Sequence, residues 1–259
     1  MKTFAMVAAL FLGLAPAGSP PAPSPAEGKV IRFLVDPNSP PFAFLRDGRL
    51  GGFDIDLGNA LGVALGAEVR WLPEPFDVAV YAKMLAEGRA DAVLAAMSIT
   101  ERRSYFVDFT RPYFTTRLAV AVRPGFAWDS REFARGFRGG VMGVMRGTTG
   151  ERWARRNLDG EIKTYDSIES LLRGLNPEGN LSDAVLIDQH ILAAASAGPD
   201  PSVRIVEREI GREDYGIAVR KGNRELADEL GRALDRLEAS GDYARIYGAW
   251  FGPPAHTGD

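Results

Sequence analysis

Short apolar runs alternate along this chain with stretches whose apolar residues recur at helical spacing. Val30–Val35, Val69–Leu72 and Ala92–Ala95 read as strands, each a brief block closed off by turn residues. The first ends in Asp36-Pro37-Asn38-Ser39-Pro40-Pro41, whose prolines cannot donate to a ladder. Between the first two strands, Leu57, Ala60, Leu61, Ala64 and Leu65 share one helical face. Asp54 is the expected N-cap of that helix and Gly66 its stop. A second helix follows over Val78–Glu87. Strand and helix in alternation predict βαβ units and a parallel sheet.

The alternation resumes after Leu118–Val122. Val141–Met145, Ala184–Ile187, Val203–Val206 and Tyr215–Val219 read as strands, and Glu151–Asn157, Ser167–Leu175 and His190–Ala197 as helices. Leu226, Leu230, Ala233, Leu234 and Leu237 mark a long amphipathic helix, and Asp242–Trp250 a last one. The two sets suggest two similar α/β lobes, the first resumed after the second. Residues 29–116 with 214–252 would form one lobe and 117–213 the other, leaving 253–259 as a tail.

Composition removes several classes of function. With 46% hydrophobic and 25% charged residues the chain is globular, and a net charge of −3 leaves no basic stripe for nucleic acid. The chain has no cysteine and two histidines, so neither a disulfide framework nor a zinc or copper site is expected, and no motif asks for a cofactor. At the amino end, Lys2, the apolar run Phe4–Leu14 and Ala15-Pro16-Ala17 have the form of a signal peptide cleaved after Ala17. The run is too short for a membrane helix, which needs ~20 apolar residues. Residues 18–28, rich in Pro, Ala and Ser, are expected to be a disordered leader. The mature chain is therefore expected in an exported compartment, with a monomer as the default state.

Chemistry concentrates after the third strand. Ser98-Ile99-Thr100-Glu101-Arg102-Arg103 offers hydroxyls and a guanidinium just beyond a strand's carboxyl end, where open α/β sheets place ligands. A guanidinium matches a carboxylate with two parallel N–H donors, so Arg103 either holds an anion or pairs with Asp108 or Glu101 at the surface. Gly147-Thr148-Thr149-Gly150 lies between a strand and a helix start. It either presents backbone N–H groups to an anion or caps the helix with a threonine hydroxyl. Asp188, at a strand end, either faces an ammonium or caps the next helix.

The Ser98–Arg103 stretch, with Asp108-Phe109-Thr110-Arg111-Pro112-Tyr113, resembles the S-I-T-x-x-R and D-F-S-x-P-Y signature of bacterial extracellular solute-binding family 3, the polar amino-acid binding proteins of the periplasm. The resemblance extends over Val30–Gly252. It implies a two-lobed periplasmic-binding-protein fold of type II, with crossover strands near Thr115–Arg123 and Gly211–Ala218 as a hinge. It implies a small zwitterion as ligand, most of all a polar or basic amino acid, and an ABC-type membrane permease as partner. Arg103 would take the ligand α-carboxylate, with Thr148 and Thr149 closing over it, while Ser98 and Asp188 would take the ammonium. Asp36 and Phe76 correspond to side-chain contacts in relatives, and Ala96 and Met145 would touch the ligand; Asp77 is a further cleft candidate. Two departures stand out. Ser39 replaces an aromatic cover, and Ala95-Ala96 replaces Ser or Gly residues. Other functions imaginable on this scaffold are a cyclohexadienyl dehydratase-like enzyme and a sensory or accessory binding protein.

Overall fold

Two strands, of sixteen and seventeen residues, pair antiparallel through the middle of the molecule and carry its architecture. The structure is a computed structural model that describes residues 28–175, 181–196 and 203–252. The expected signal peptide, the leader up to residue 27, Ala197 and the tail lie outside these residues. In order, the chain forms β1 (Val30–Val35), β2 (Asn38–Ser39), β3 (Ala43–Arg46), β4 (Arg49–Gly51), α1 (Phe53–Leu65), β5 (Glu68–Pro73), α2 (Val78–Ala86) and β6 (Ala92–Val93). Then come α3 (Glu101–Ser104), β7 (Val107–Val122), α4 (Ser130–Ala134), β8 (Val141–Met145), α5 (Thr149–Asn157), β9 (Glu161–Tyr165) and α6 (Ile168–Arg173). The chain continues through β10 (Ala184–Asp188), α7 (Gln189–Ser196), β11 (Arg204–Arg220), α8 (Arg224–Ser240) and α9 (Asp242–Phe251).

The main sheet has the order β5-β1-β6-β11-β7-β10-β8-β9. Its two ends are parallel: β1 pairs with β5 and β6, and β8 pairs with β10 and β9. The central pair β7–β11 runs antiparallel, with Thr115 opposite Asp214 and Arg117 opposite Arg212 midway. The sheet therefore has two parallel halves joined by two continuous strands. A small separate sheet, β2-β3-β4, follows β1.

Apolar spacing explains how the helices cover the sheet. On α8, Ala227, Leu230, Ala233, Leu234 and Leu237 are buried, one stripe at i, i+3, i+4 and i+7. They share a core with Leu57 and Leu61 of α1 and an aromatic cluster around Phe53 and Phe114. Phe42 meets Phe114 edge to face, with centroids 5.0 Å apart at 87°, a geometry that adds ~1 kcal/mol to the area term. The other half has its own core, including Val120, Val122, Met142, Val144, Ala154 and Leu186.

Asp54 does not cap α1. Gly52 does, at φ 132°, which places Asp54 inside the first turn and fully buried. The reason is the chain's close approach to the preceding segment: Phe53 N–H donates to Pro41 O (3.0 Å) and Asp54 N–H to Phe42 O (2.8 Å). A Cβ on Gly52 would sit 2.2 Å from Phe42 O. Gly52→Ala therefore combines left-handed strain with a backbone overlap, and should lower unfolding free energy by about 3 kcal/mol or more. A urea midpoint matching the unaltered protein would contradict this.

Candidate functional site

A cleft of about 1210 Å³ opens between the two halves of the sheet, walled by Ala95–Arg103 on one side and Met145–Arg152 on the other. Its floor begins where β6 ends. Ala96 adopts φ 46° there, and its N–H donates to Asp54 Oδ2 (2.9 Å) and to the Tyr113 hydroxyl (3.1 Å). Tyr113 in turn donates to Asp54 Oδ1 (3.0 Å). Burial pushes the Asp54 carboxyl up to about 7, and these two hydrogen bonds hold it from rising further. The next residues are tied to β11: Gly216 N–H donates to Met97 O (3.1 Å) and Ile99 N–H to Asp214 O (2.7 Å), with Ser98 bridged to Tyr215.

Thr100 then caps α3 by accepting from Arg103 N–H, which turns the Arg103 side chain inward. The residue is 3% exposed. Its Nη1 donates to Ser98 O (2.8 Å), its guanidinium lies 5.4 Å from the Phe76 ring centre, and its buried Nε has no acceptor among the described residues. Burial lowers its pKa to about 10, and the charge of Arg152 adds to the effect. The surface alternative does not hold, because Asp108 is engaged by Lys221 (2.8 Å) and Glu101 by Tyr105 (3.3 Å).

On the opposite wall, Gly147 takes φ 74° after Met145 and lets the chain turn into α5. Thr148 is the N-cap: its hydroxyl accepts from Glu151 N–H (3.2 Å) and donates to Met145 O (2.7 Å). Its hydroxyl is thus committed to the helix. Thr149 occupies the first helical position, where N–H groups have no intrahelical acceptor. Asp188 ends β10 beside them. The residue as a whole is half-buried, but its Oδ1 is out of solvent and lacks a donor among the described residues. Burial pushes Asp188 up to about 7, the charge of Glu213 reinforces the rise, and the Tyr215 hydroxyl opposes it.

Asp36 and Asp77 serve their own loops while facing the cleft. Asp36 accepts from Asn38 N–H (3.1 Å) and from the Ser39 hydroxyl, and Asp77 caps α2 by accepting from Ala79 and Val80 N–H. Phe76 packs edge to face on Tyr81. His190 stays outside the cleft, 2.8 Å from Thr116 Oγ1.

Residues 31–253 match the model of the family described as bacterial extracellular solute-binding proteins, family 3. The chain belongs to this family. It is 31% identical to an L-arginine-binding protein of Pseudomonas aeruginosa, with 97% of each chain covered. Solved structures of an ancestral arginine-binding protein, bound to arginine or to glutamine, match at 35% identity and TM-score 0.77, covering 86% of this chain and 98% of theirs. An ancestral amino acid-binding protein, described as a precursor of cyclohexadienyl dehydratase, matches at 30% identity and TM-score 0.77, covering 86% and 95%. The fold is thus that of type II periplasmic binding proteins.

In this family 3 protein, Asp36, Phe76, Ala96, Ser98, Arg103, Met145, Thr148, Thr149 and Asp188 all line one cleft. The sequence alone did not mark Arg152 or Tyr215 as cleft-lining residues, nor Asp54 as the buried support of Ala96. For Arg152 a signal existed, since it lies one turn after Thr148 and Thr149 and so shares their helix face. Away from the cleft, Glu207 accepts from Trp128 Nε1 (2.8 Å). Among the described residues no helix is long and apolar enough to cross a membrane, and no cluster of metal-ligating side chains occurs.

Proposed function

We propose that the protein captures a small zwitterionic solute, an α-amino acid with a polar side chain, in the periplasm and delivers it to an ABC-type permease. The observation that carries this reading is one cleft holding a buried guanidinium and a half-buried carboxylate, each with a buried atom lacking a partner among the described residues. Such atoms are costly to bury alone and fit the two charged ends of a zwitterion. Arg103 and the N–H groups at Thr149 take the carboxylate, and Asp188 with Ser98 takes the ammonium. Residues 29–116 with 214–252 act as one lobe and 117–213 as the other, turning about the middle of β7 and β11. The cleft is larger than one amino acid needs, which leaves room for closure. The Pseudomonas aeruginosa protein supports the ligand class, and a relative named an arginine-binding periplasmic protein supports export; the Ala15-Pro16-Ala17 site is where the signal peptide would be cleaved. The protein binds without turnover, as a monomer.

Titration calorimetry of the mature chain against the common amino acids tests this. A bound ammonium favours ionised Asp188, so below about 7 a proton competes with ligand. Affinity should rise by up to about tenfold per pH unit from pH ~5 to pH ~7 and then level off. A flat profile would remove Asp188 from the site, and no binding by any amino acid would sink the proposal.

A further inference from the structure

We infer that the cleft contains a second anion site, made by Arg152 with Arg102, which selects amino acids carrying an anionic group on the side chain. This rests on the amino-acid reading above. Of the basic side chains lining the cleft, Lys83 is matched by Glu87 (3.8 Å), Arg146 by Asp166 (2.6 Å) and Arg155 by Glu151 (2.9 Å). Arg102, Arg103 and Arg152 have no carboxylate within 4.0 Å among the described residues. The acid nearest to Arg152 in sequence is already committed at both oxygens: Glu151 Oε1 accepts from Arg155 and Oε2 from Gly147 N–H (2.7 Å).

The acids of the cleft are placed differently from its arginines. Both Asp36 oxygens accept hydrogen bonds within their own turn, Asp77 is tied to α2, and only Asp188 keeps a buried oxygen with no donor among the described residues. By the same ion-pair criterion four cleft carboxylates, Asp36, Glu74, Asp77 and Asp188, also lack a cation among the described residues, and Asp36 and Asp77 are held by their own turns. Glu213, on β11, favours the charged forms of Arg103 and Arg152 from beyond ion-pair distance.

The arginines also come from opposite walls. Arg102 and Arg103 belong to α3 and Arg152 to α5, where a helical side chain leans back toward the first turn and so toward Thr149. Both Arg102 and Arg152 line the cleft, and burial together with the charge of Arg102 lowers the Arg152 pKa. Closing the cleft brings them nearer and strips their water, which is unfavourable without an anion between them. The ligand α-carboxylate answers Arg103. A second anionic group, on the ligand side chain, answers Arg152 and Arg102.

The test compares L-glutamate, L-aspartate and L-2-aminoadipate with L-glutamine, L-asparagine and L-arginine by titration calorimetry, in unaltered protein and in Arg152→Gln and Arg152→Lys. We expect one acidic amino acid to bind about tenfold or more tightly than its amide, since a site built for a charged group rejects the analogue lacking it. R152Q should bring that ratio close to one, and R152K should keep most of it. Thermal melting of each ligand-free variant confirms that it folds. Tighter binding of glutamine or arginine than of every acidic amino acid overturns the inference and leaves the amino-acid reading intact. An unchanged ratio in R152Q overturns it too. Absence of binding by all amino acids overturns both.

Discussion

Replacing Arg103 by alanine should abolish measurable ligand binding while leaving the ligand-free protein folded. Removing one partner of a buried, hydrogen-bonded charge pair costs about 2–5 kcal/mol, or about 30- to 5,000-fold in affinity. The upper part of that range is expected here. Arg103 is 3% exposed, and it presents to the cleft a buried Nε without an acceptor among the described residues. In the ligand-free protein the same features point the other way. Burial depresses the pKa of Arg103, so its charge is held in a site that disfavours it. The substitution removes one hydrogen bond to Ser98 O and the stack on Phe76, each worth ~1 kcal/mol. Relief of an unmatched buried charge opposes that loss, so R103A should melt within a few degrees of the unaltered protein. Arg103→Met, which keeps a long apolar stem over Phe76, should melt at the same temperature or higher. Calorimetry and thermal melting of both variants check the two signs together. Retained binding within threefold of the unaltered protein would remove Arg103 from the site.

How much of this was legible in the sequence depended on where each segment is buried. β1 and β8 match the expected Val30–Val35 and Val141–Met145, because parallel strands covered on both faces are continuous apolar runs. β7 and β11 are different. Between their apolar ends they carry Thr115, Arg117, Arg212 and Asp214, which face each other where the strands leave one core and enter the next. Apolar patterning therefore sees short fragments, Leu118–Val122, Val203–Val206 and Tyr215–Val219, where the chain forms two unbroken strands. Pairing across the sheet supplies what local pattern lacks. The short β2–β4 hairpins were invisible for the opposite reason, since little of them is buried.

The cleft shows the same division. Arg103 and Ser98 stand out through a motif, and Thr148 and Thr149 through a glycine-flanked turn before a helix. Arg152 sits in Glu151-Arg152-Trp153-Ala154-Arg155-Arg156, where only its spacing of one turn from Thr148 and Thr149 separates it from the other arginines. Asp54 was harder still. An aspartate after Gly-Gly-Phe has the form of a cap, and only the tertiary position of Tyr113 and Ala96 turns it inward.

That inward turn gives Asp54 a large expected effect of its own. Asp54→Ala should lower unfolding free energy by about 3 kcal/mol or more. It leaves the buried Tyr113 hydroxyl without its acceptor, at about 1–3 kcal/mol, reduces Ala96 N–H to its bond with the Tyr113 oxygen, and empties a fully buried site. It also removes a bond that holds Ala96 at φ 46°, so the Ala96–Ser98 segment below Arg103 should relax and ligand affinity should fall with stability. Asp54→Asn separates the charge from the hydrogen bonds. Burial raises the Asp54 pKa to about 7, so the native state binds its proton more tightly than the unfolded chain does. The stability this proton confers is full below the ordinary carboxylate pKa of about 4 and is lost as pH rises through about 7. Unfolding free energy should therefore decline from pH ~4 to pH ~7 and level off above. Asp188, raised to about 7 as well, contributes in the same direction, so D54N should flatten the decline without removing it. Urea midpoints at pH 5 and pH 8, for the unaltered protein and D54N, measure the difference in slope. Equal slopes would mean that Asp54 stays charged in the native state, with Ala96 N–H and Tyr113 solvating a carboxylate at the base of the cleft.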